Sequence, residues 1–257
     1  MTKKIIAIAF IFICTSIAWA ILGGTIFSRT YSLDALAENR VASTWGSPQN
    51  QSPPTASFTR IVQKSEESII YGKKTVKTIN ETVITPVPLE SSAVNVDLDL
   101  EHRQKGLLWY STYKVAFSGV YGFRSPSKED EEVDFMLKFP TAQAMYDDLS
   151  FVVDGNAIPI ISRDGAALGK VKVAAGKTIT LAVGYRSQGL NEWRYSFGGQ
   201  DVEQVRDFNL TMKTNFKDID FPDNTLSPSA KQESDNGWNL TWTYKSLLSG
   251  YQIAMVM

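Results

Sequence analysis

VNVDLDLE, residues 94–101, alternates apolar and polar side chains without a break. Successive strand side chains point to opposite faces, so Val94, Val96, Leu98 and Leu100 share one face and Asn95, Asp97, Asp99 and Glu101 the other. The stretch predicts a strand buried on one side only, as antiparallel sheets allow. The same period of two returns at residues 133–139, 179–185, 208–212 and 238–244. Asp154-Gly155, Asp164-Gly165, Gly198-Gly199 and Asn236-Gly237 punctuate these segments and favour positive φ. Many short strands with frequent turns predict a mainly β, antiparallel β-sandwich domain. KEDEE (128–132) reads as a charged turn entering a strand. Helix is expected only at 141–148, for two turns, and after Asp201, which with Gln204 resembles a capping box.

Upstream of the strands, residues 5–27 (IIAIAFIFICTSIAWAILGGTIF) carry no charge. As a helix this run spans about 34 Å, enough to cross the hydrocarbon core. Lys3 and Lys4 precede it, which places the N-terminus in the cytoplasm and the rest outside. Ala18-Trp19-Ala20 is a small-x-small triplet of the kind used by signal peptidase. Apolar sequence continues past it through Phe27, which favours an uncleaved anchor. Cys14, the single cysteine, follows Ile13, too large for a lipoprotein-type acylation site. With one cysteine there is no internal disulfide, and a domain of this size does not need one. The expected division is an anchor over 1–30, a membrane-proximal linker over 31–57 and a periplasmic β-sandwich over 58–257. The linker reading comes from WGSPQNQSPPTASF (45–58), whose three prolines argue against a central strand.

Charge is balanced, 26 basic against 27 acidic residues, so no nucleic-acid partner is implied. The expected partners are the bilayer, through residues 5–27, and an envelope protein. His102 is the only histidine, which excludes sites that need two imidazoles. No G-x-S-x-G elbow and no glycine-rich phosphate loop occurs. Asp97, Asp99 and Glu101 form a stripe that would bind calcium if another strand added oxygens, but a solvated outer face is the preferred reading. KDIDFPDN (217–224) gathers Asp218, Asp220, Asp223 and Asn224 without the glycine and terminal glutamate of an EF-hand loop. No catalytic, cofactor or metal residue is assigned, and the protein is expected not to be an enzyme.

Aromatic side chains are the remaining candidates for a ligand or partner surface: Trp109, Tyr113, Trp193, Tyr195, Trp238 and Trp242. Exposed, such a row would stack on sugars or dock a protein. Burial in a sandwich core explains the same spacing more simply.

Three patches together resemble one family: WGSPQ from Trp45, EHRQKGLLWYSTYKVAFSGVYGF (101–123) and WNLTWTYKSLLSGYQIAMVM (238–257). They are similar to the CreD-type inner-membrane proteins of Gram-negative bacteria. That resemblance implies an N-terminal helix, a large periplasmic domain and then several C-terminal transmembrane helices. It further implies a role in envelope integrity or the envelope-stress response. The family has no settled biochemical activity, so no catalytic residue is carried over. This chain ends in apolar YQIAMVM (251–257), where the helical bundle would begin, and the native chain is expected to continue. Any function of the bundle is therefore in doubt here. Two other functions stay open: an extracytoplasmic ligand- or glycan-binding module, and a carboxylate-based hydrolase.

Overall fold

The computed structural model describes residues 2–70, 73–105, 108–198 and 202–257, with side chains described outside 30–40, 66–77, 106–108, 199–201 and 203. It is mainly β with one helix at the N-terminus. That helix, α1, runs unbroken from Thr2 to Trp45. Thr2–Arg29 is long and apolar enough to cross a membrane, and none of it is buried by the rest of the chain. The helix continues past this span because residues 31–45 hold no proline or glycine and include Ala35, Leu36, Ala37 and Glu38, all good helix formers. The expected linker is thus helix over 31–45, and its remainder begins the β structure.

Strands are numbered along the chain and form three sheets. The largest has eight strands in the order β14 (Ala230–Glu233), β15 (Trp238–Ser249), β13 (Glu203–Thr214), β4 (Leu89–Lys105), β5 (Leu108–Arg124), β11 (Thr178–Leu190), β7 (Asp147–Val153) and β8 (Asn156–Ala157). Every ladder is antiparallel except β13 with β4. The second has the order β3 (Lys73–Val87), β2 (Thr55–Ile70), β6 (Glu131–Lys138), β10 (Ala166–Val173) and β9 (Ile161–Arg163). The third joins β1 (Gln49–Gln51), β12 (Glu192–Tyr195) and β16 (Ile253–Val256).

One face of the eight-stranded sheet is apolar: Val94, Val96 and Leu98 on β4, Val115, Phe117, Tyr121 and Phe123 on β5, Leu181, Val183 and Tyr185 on β11. The two smaller sheets cover that face side by side. Phe135 of β6 meets Phe123 edge-on at 5.6 Å, and Tyr195 of β12 meets Phe208 at 5.6 Å. The opposite face is wet, with Asn95, Asp97, Asp99, Lys114 and Ser118 exposed.

Asp154-Gly155 and Asp164-Gly165 adopt the expected left-handed pairs, with φ of 48° and 82°, and 52° and 73°. Gly237 is needed for another reason: a Cβ there would lie 1.9 Å from the Thr214 carbonyl oxygen. Gly199 lies outside the described residues.

Among the described residues neither of the two short helices occurs. At 141–148 the Tyr146 hydroxyl bonds the Thr141 backbone and its ring stacks on Phe139 at 4.4 Å, so the segment closes as a loop. Gln204 pairs with Leu248 in a ladder, and Asp201 lies outside the described residues. Beyond Phe58 and Thr85 the β2–β3 hairpin loses its third strand and projects as a two-stranded arm.

Candidate functional site

The end of α1 is built into the β domain. Val41 and Ala42 are buried against Tyr110 and Leu190. The Trp45 ring lies under the Arg103 guanidinium at 5.4 Å and the Lys105 ammonium at 5.6 Å. Gly46 stops the helix: its φ is +98°, its N–H donates to the Ala42 carbonyl at 3.0 Å, and a Cβ would lie 2.2 Å from the Gln188 carbonyl oxygen.

Two glutamines then enter the core, Gln49 at 1 % and Gln51 at 0 % exposure. Burying an amide is costly unless it is hydrogen-bonded. Gln49 Nε2 donates to Ser187 Oγ and to the Gln188 carbonyl, both at 2.8 Å. Gln51 Oε1 accepts from the Tyr185 hydroxyl at 2.7 Å. Helix end, residues 46–51 and β11 are therefore one mechanical unit. Tyr113, Tyr121, Tyr185 and Tyr195 surround it, and burial pushes all four phenols above their ordinary range. They serve as neutral hydrogen-bonding groups, as in Tyr113 donating to the Glu192 carbonyl at 2.7 Å.

Where the two covering sheets meet, a cleft opens. One part holds about 470 Å³ and is lined by Pro53, Ala56, Leu89, Phe123, Met136 and Phe197, with Lys138 at its edge. Pro53, Leu89 and Phe197 also line an adjoining space of about 230 Å³, beside Arg206 and Phe208. The first part is mostly apolar with Lys138 in its lining, and the second is mostly polar, with Ser92, Gln204 and Arg206 in its walls, so together they offer an apolar chamber beside a polar one that carries a cation.

The acidic stripe is interleaved with cations. Glu101 pairs with Lys114 and with Arg103 at 2.6 Å, and these hydrogen bonds, Lys114 first, hold its carboxyl below the usual range. Asp99 accepts from the Asn215 amide. Asp97, Asp99 and Asp147 share a shallow 320 Å³ groove with Lys114 and Arg186. Asp218, Asp220, Asp223 and Asn224 are exposed, and no group of three or more metal-ligating side chains occurs among the described residues. His102 is exposed, opposite Ser111 in the β4–β5 ladder.

The aromatic candidates separate. Tyr113, Trp193, Tyr195 and Trp242 are 0–1 % exposed and form core, not surface, because they stand on faces that the sheets bury together. Trp238 is half-buried, its Nε1 donating to the Lys217 carbonyl at 3.0 Å and the Lys231 ammonium 3.8 Å above its ring. Only Trp109 of the six is exposed, at 66 %. Reading the sequence for chemistry overlooks Gly46, Gln49 and Gln51; the one signal for them is WGSPQ itself, polar residues set between glycine and proline.

A family model described as inner membrane protein CreD matches residues 1–256. No curated protein sequence matches the chain. Among solved structures, a Legionella pneumophila protein proposed to bind nutrients aligns at a TM-score of 0.49 and 10% identity, over 66% of this chain and 66% of its own. An M1 zinc metallopeptidase from Deinococcus radiodurans aligns at 0.40 and 8% identity, over 66% and 42%. Native leukotriene A4 hydrolase from Saccharomyces cerevisiae aligns at 0.33 and 11% identity, over 65% and 29%. The chain thus spans less than half the length of the two hydrolases. Likenesses this distant carry no argument about function.

Proposed function

The chain belongs to the CreD family of inner membrane proteins, and from that premise we propose that it is a non-enzymatic envelope protein whose β domain stands on the periplasmic side. Its role in this reading is envelope integrity or the response to envelope stress, exerted through a partner in the envelope. The observation that carries it is the unbroken passage of α1 from apolar span to buried junction. A domain gripped by its own span is suited to holding or signalling position rather than to turning over a diffusing substrate. Lys3 and Lys4 ahead of the span support a cytoplasmic N-terminus. Among the described residues the carboxyls with shifted affinity, Glu101, Asp154 and Glu233, move down through hydrogen bonds to lysine, opposite to what a general acid requires.

Alkaline phosphatase and green fluorescent protein fused after Met257 test the orientation. The expected result is an active phosphatase and a dark fluorescent fusion; the reverse overturns it. Deleting the gene should admit apolar dyes through the envelope, and the intact gene should restore the barrier. Unchanged permeability and an unchanged envelope-stress response would remove the proposed role.

The seam cleft favours a second reading, a ligand-binding module for an amphiphile. Dodecanoate is the probe: it should raise the melting temperature of the intact protein but not of Met136→Trp, which fills the cleft. Equal behaviour of the two proteins removes this reading.

A further inference from the structure

Where the seam cleft opens, the apolar face of the eight-stranded sheet carries a serine. On β4 the buried row Leu98, Val96, Val94 continues to Ser92, which is 4 % exposed and stands between Tyr121 of β5 and Phe208 of β13. A buried hydroxyl is normally hydrogen-bonded. That of Ser92 has no hydrogen-bond partner among the described residues, and the side chain lines the smaller chamber of the cleft. Arg206 and Gln204 of β13 line the same chamber. Arg206 Nη2 donates to Gln204 Oε1 at 3.0 Å, and Nη1 reaches Glu90 Oε1 at 3.4 Å. The Arg206–Glu90 pair is partly exposed, so it is weak and leaves the guanidinium open to another anion.

Charge and size give the two chambers to different ends of one molecule. Among the described residues no carboxylate lines either chamber, so Arg206 sets the charge preference of the polar one. Lys138 lines only the apolar one. At about 30 Å³ for a water-sized group, the 470 Å³ apolar chamber takes a chain of about a dozen carbons. The 230 Å³ polar chamber takes about seven such groups, more than a carboxylate fills and enough for a phosphate with its ester linkage. Arginine matches two oxygens of a phosphate at once, and a serine hydroxyl donates to a third. Pro53, Leu89 and Phe197 line both chambers and form the passage between them.

We propose that the seam cleft binds the phosphate ester of a long alkyl or acyl chain. The phosphate lies in the chamber of Ser92, Gln204 and Arg206, and the chain runs past Phe197 into the chamber of Phe123 and Met136. The inference rests on the second reading above, an amphiphile in this cleft, and names its head and its direction.

The test uses the full chain in phosphatidylcholine nanodiscs and reads affinity from the rise of the melting temperature with ligand concentration. The probes are dodecyl phosphate, dodecanoate, uncharged 1-monolauroylglycerol and inorganic phosphate. Dodecyl phosphate should bind about tenfold more tightly than monolauroylglycerol, with dodecanoate between them and no shift from inorganic phosphate. Arg206→Gln should remove that advantage and Lys138→Gln should keep it. Ser92→Ala should weaken dodecyl phosphate about fivefold and leave the free protein at least as stable, because the fold itself does not pair this hydroxyl. A diazirine on the last chain carbon of dodecyl phosphate should label the peptide around Met136, not residues 204–208. Three outcomes overturn this inference alone while dodecanoate still tells the intact protein from Met136→Trp. They are labelling at 204–208, an advantage that survives Arg206→Gln, and inorganic phosphate binding as tightly as its dodecyl ester. No shift from any chained probe removes the second reading, and this inference with it.

Discussion

The Tyr185 hydroxyl donates to Gln51 Oε1 at 2.7 Å in the interior, tying strand β11 to the segment that follows α1. Tyr185→Phe keeps the ring, which stacks on Phe117 at 5.0 Å, and removes only the donor. The amide oxygen is then buried without its partner. The expected loss is about 1–3 kcal/mol, read as a lower denaturation midpoint with an unchanged slope. No loss would show that water reaches Gln51.

Gly46→Ala imposes two penalties at once. A left-handed backbone costs an L-residue about 1–2 kcal/mol, and the new Cβ meets the Gln188 carbonyl oxygen. Stability should fall by more than the backbone term alone. The added methyl should also weaken the Val41–Tyr110 contact, seen as faster limited proteolysis between residues 41 and 52 while the core stays intact.

Trp242→Ala empties one of the largest fully buried sites in the chain. It also strands the Leu226 carbonyl, which accepts from Trp242 Nε1 at 2.8 Å. The loss should be about 3–5 kcal/mol, measured by chemical denaturation in detergent. A loss below 1 kcal/mol, on the order of a surface substitution, would contradict the core assigned to this side chain.

Asp154 links its own turn to Lys177, which follows the turn at 175–176. Its carboxylate takes the Lys177 ammonium at 2.7 Å and the Thr180 N–H at 2.9 Å, and these bonds, Lys177 first, lower its proton affinity. Its folded pKa lies below the unfolded value of about 3.9. Its contribution is therefore complete above that value and disappears as pH falls through the folded pKa. Asp154→Asn should cost at most about 1 kcal/mol at pH 7. The gap between the two proteins should close in that acid window and show no change between pH 6 and 8.

The β2–β3 arm should be the least protected part of the sheets. Ile61 and Ile84 are 72 % and 68 % exposed on it, and isolated two-stranded ribbons are marginal in water. Amides at 59–65 and 78–84 should exchange on the order of a thousandfold faster than those at 94–98. Equal protection would mean that something covers the arm in solution.

Most of the sheet structure was legible because its signal is local. Residues 94–99 alternate buried and exposed as the apolar–polar pattern alternates, and Asp-Gly pairs turn where they stand. What was hidden depends on distant partners. Gln204 reads as a capping residue, but pairing with β15 makes it strand. Gln49 and Gln51 fall in the proline-rich piece read as linker, and Ser187, Gln188 and Tyr185, more than 130 residues away, hold them in the interior. For the aromatic row, spacing fixes which side chains share a face and favours a core, and the second sheet decides which of those faces is dry. The helix over residues 31–45 was not legible because the proline-rich piece after them drew attention to a linker rather than to its secondary structure.

Fifteen residues of α1 stand between Arg29 and Trp45, about 24 Å of helix from one to the other with no hinge in it. Such a rod behaves as a lever. Tilting the span by about 20°, an ordinary angle for a single pass, sweeps the base of the domain sideways by about 8 Å. Changes in bilayer thickness or in the packing around the span would therefore reach the sheets as a rotation of the whole body, a mechanical input that a slack tether would have absorbed.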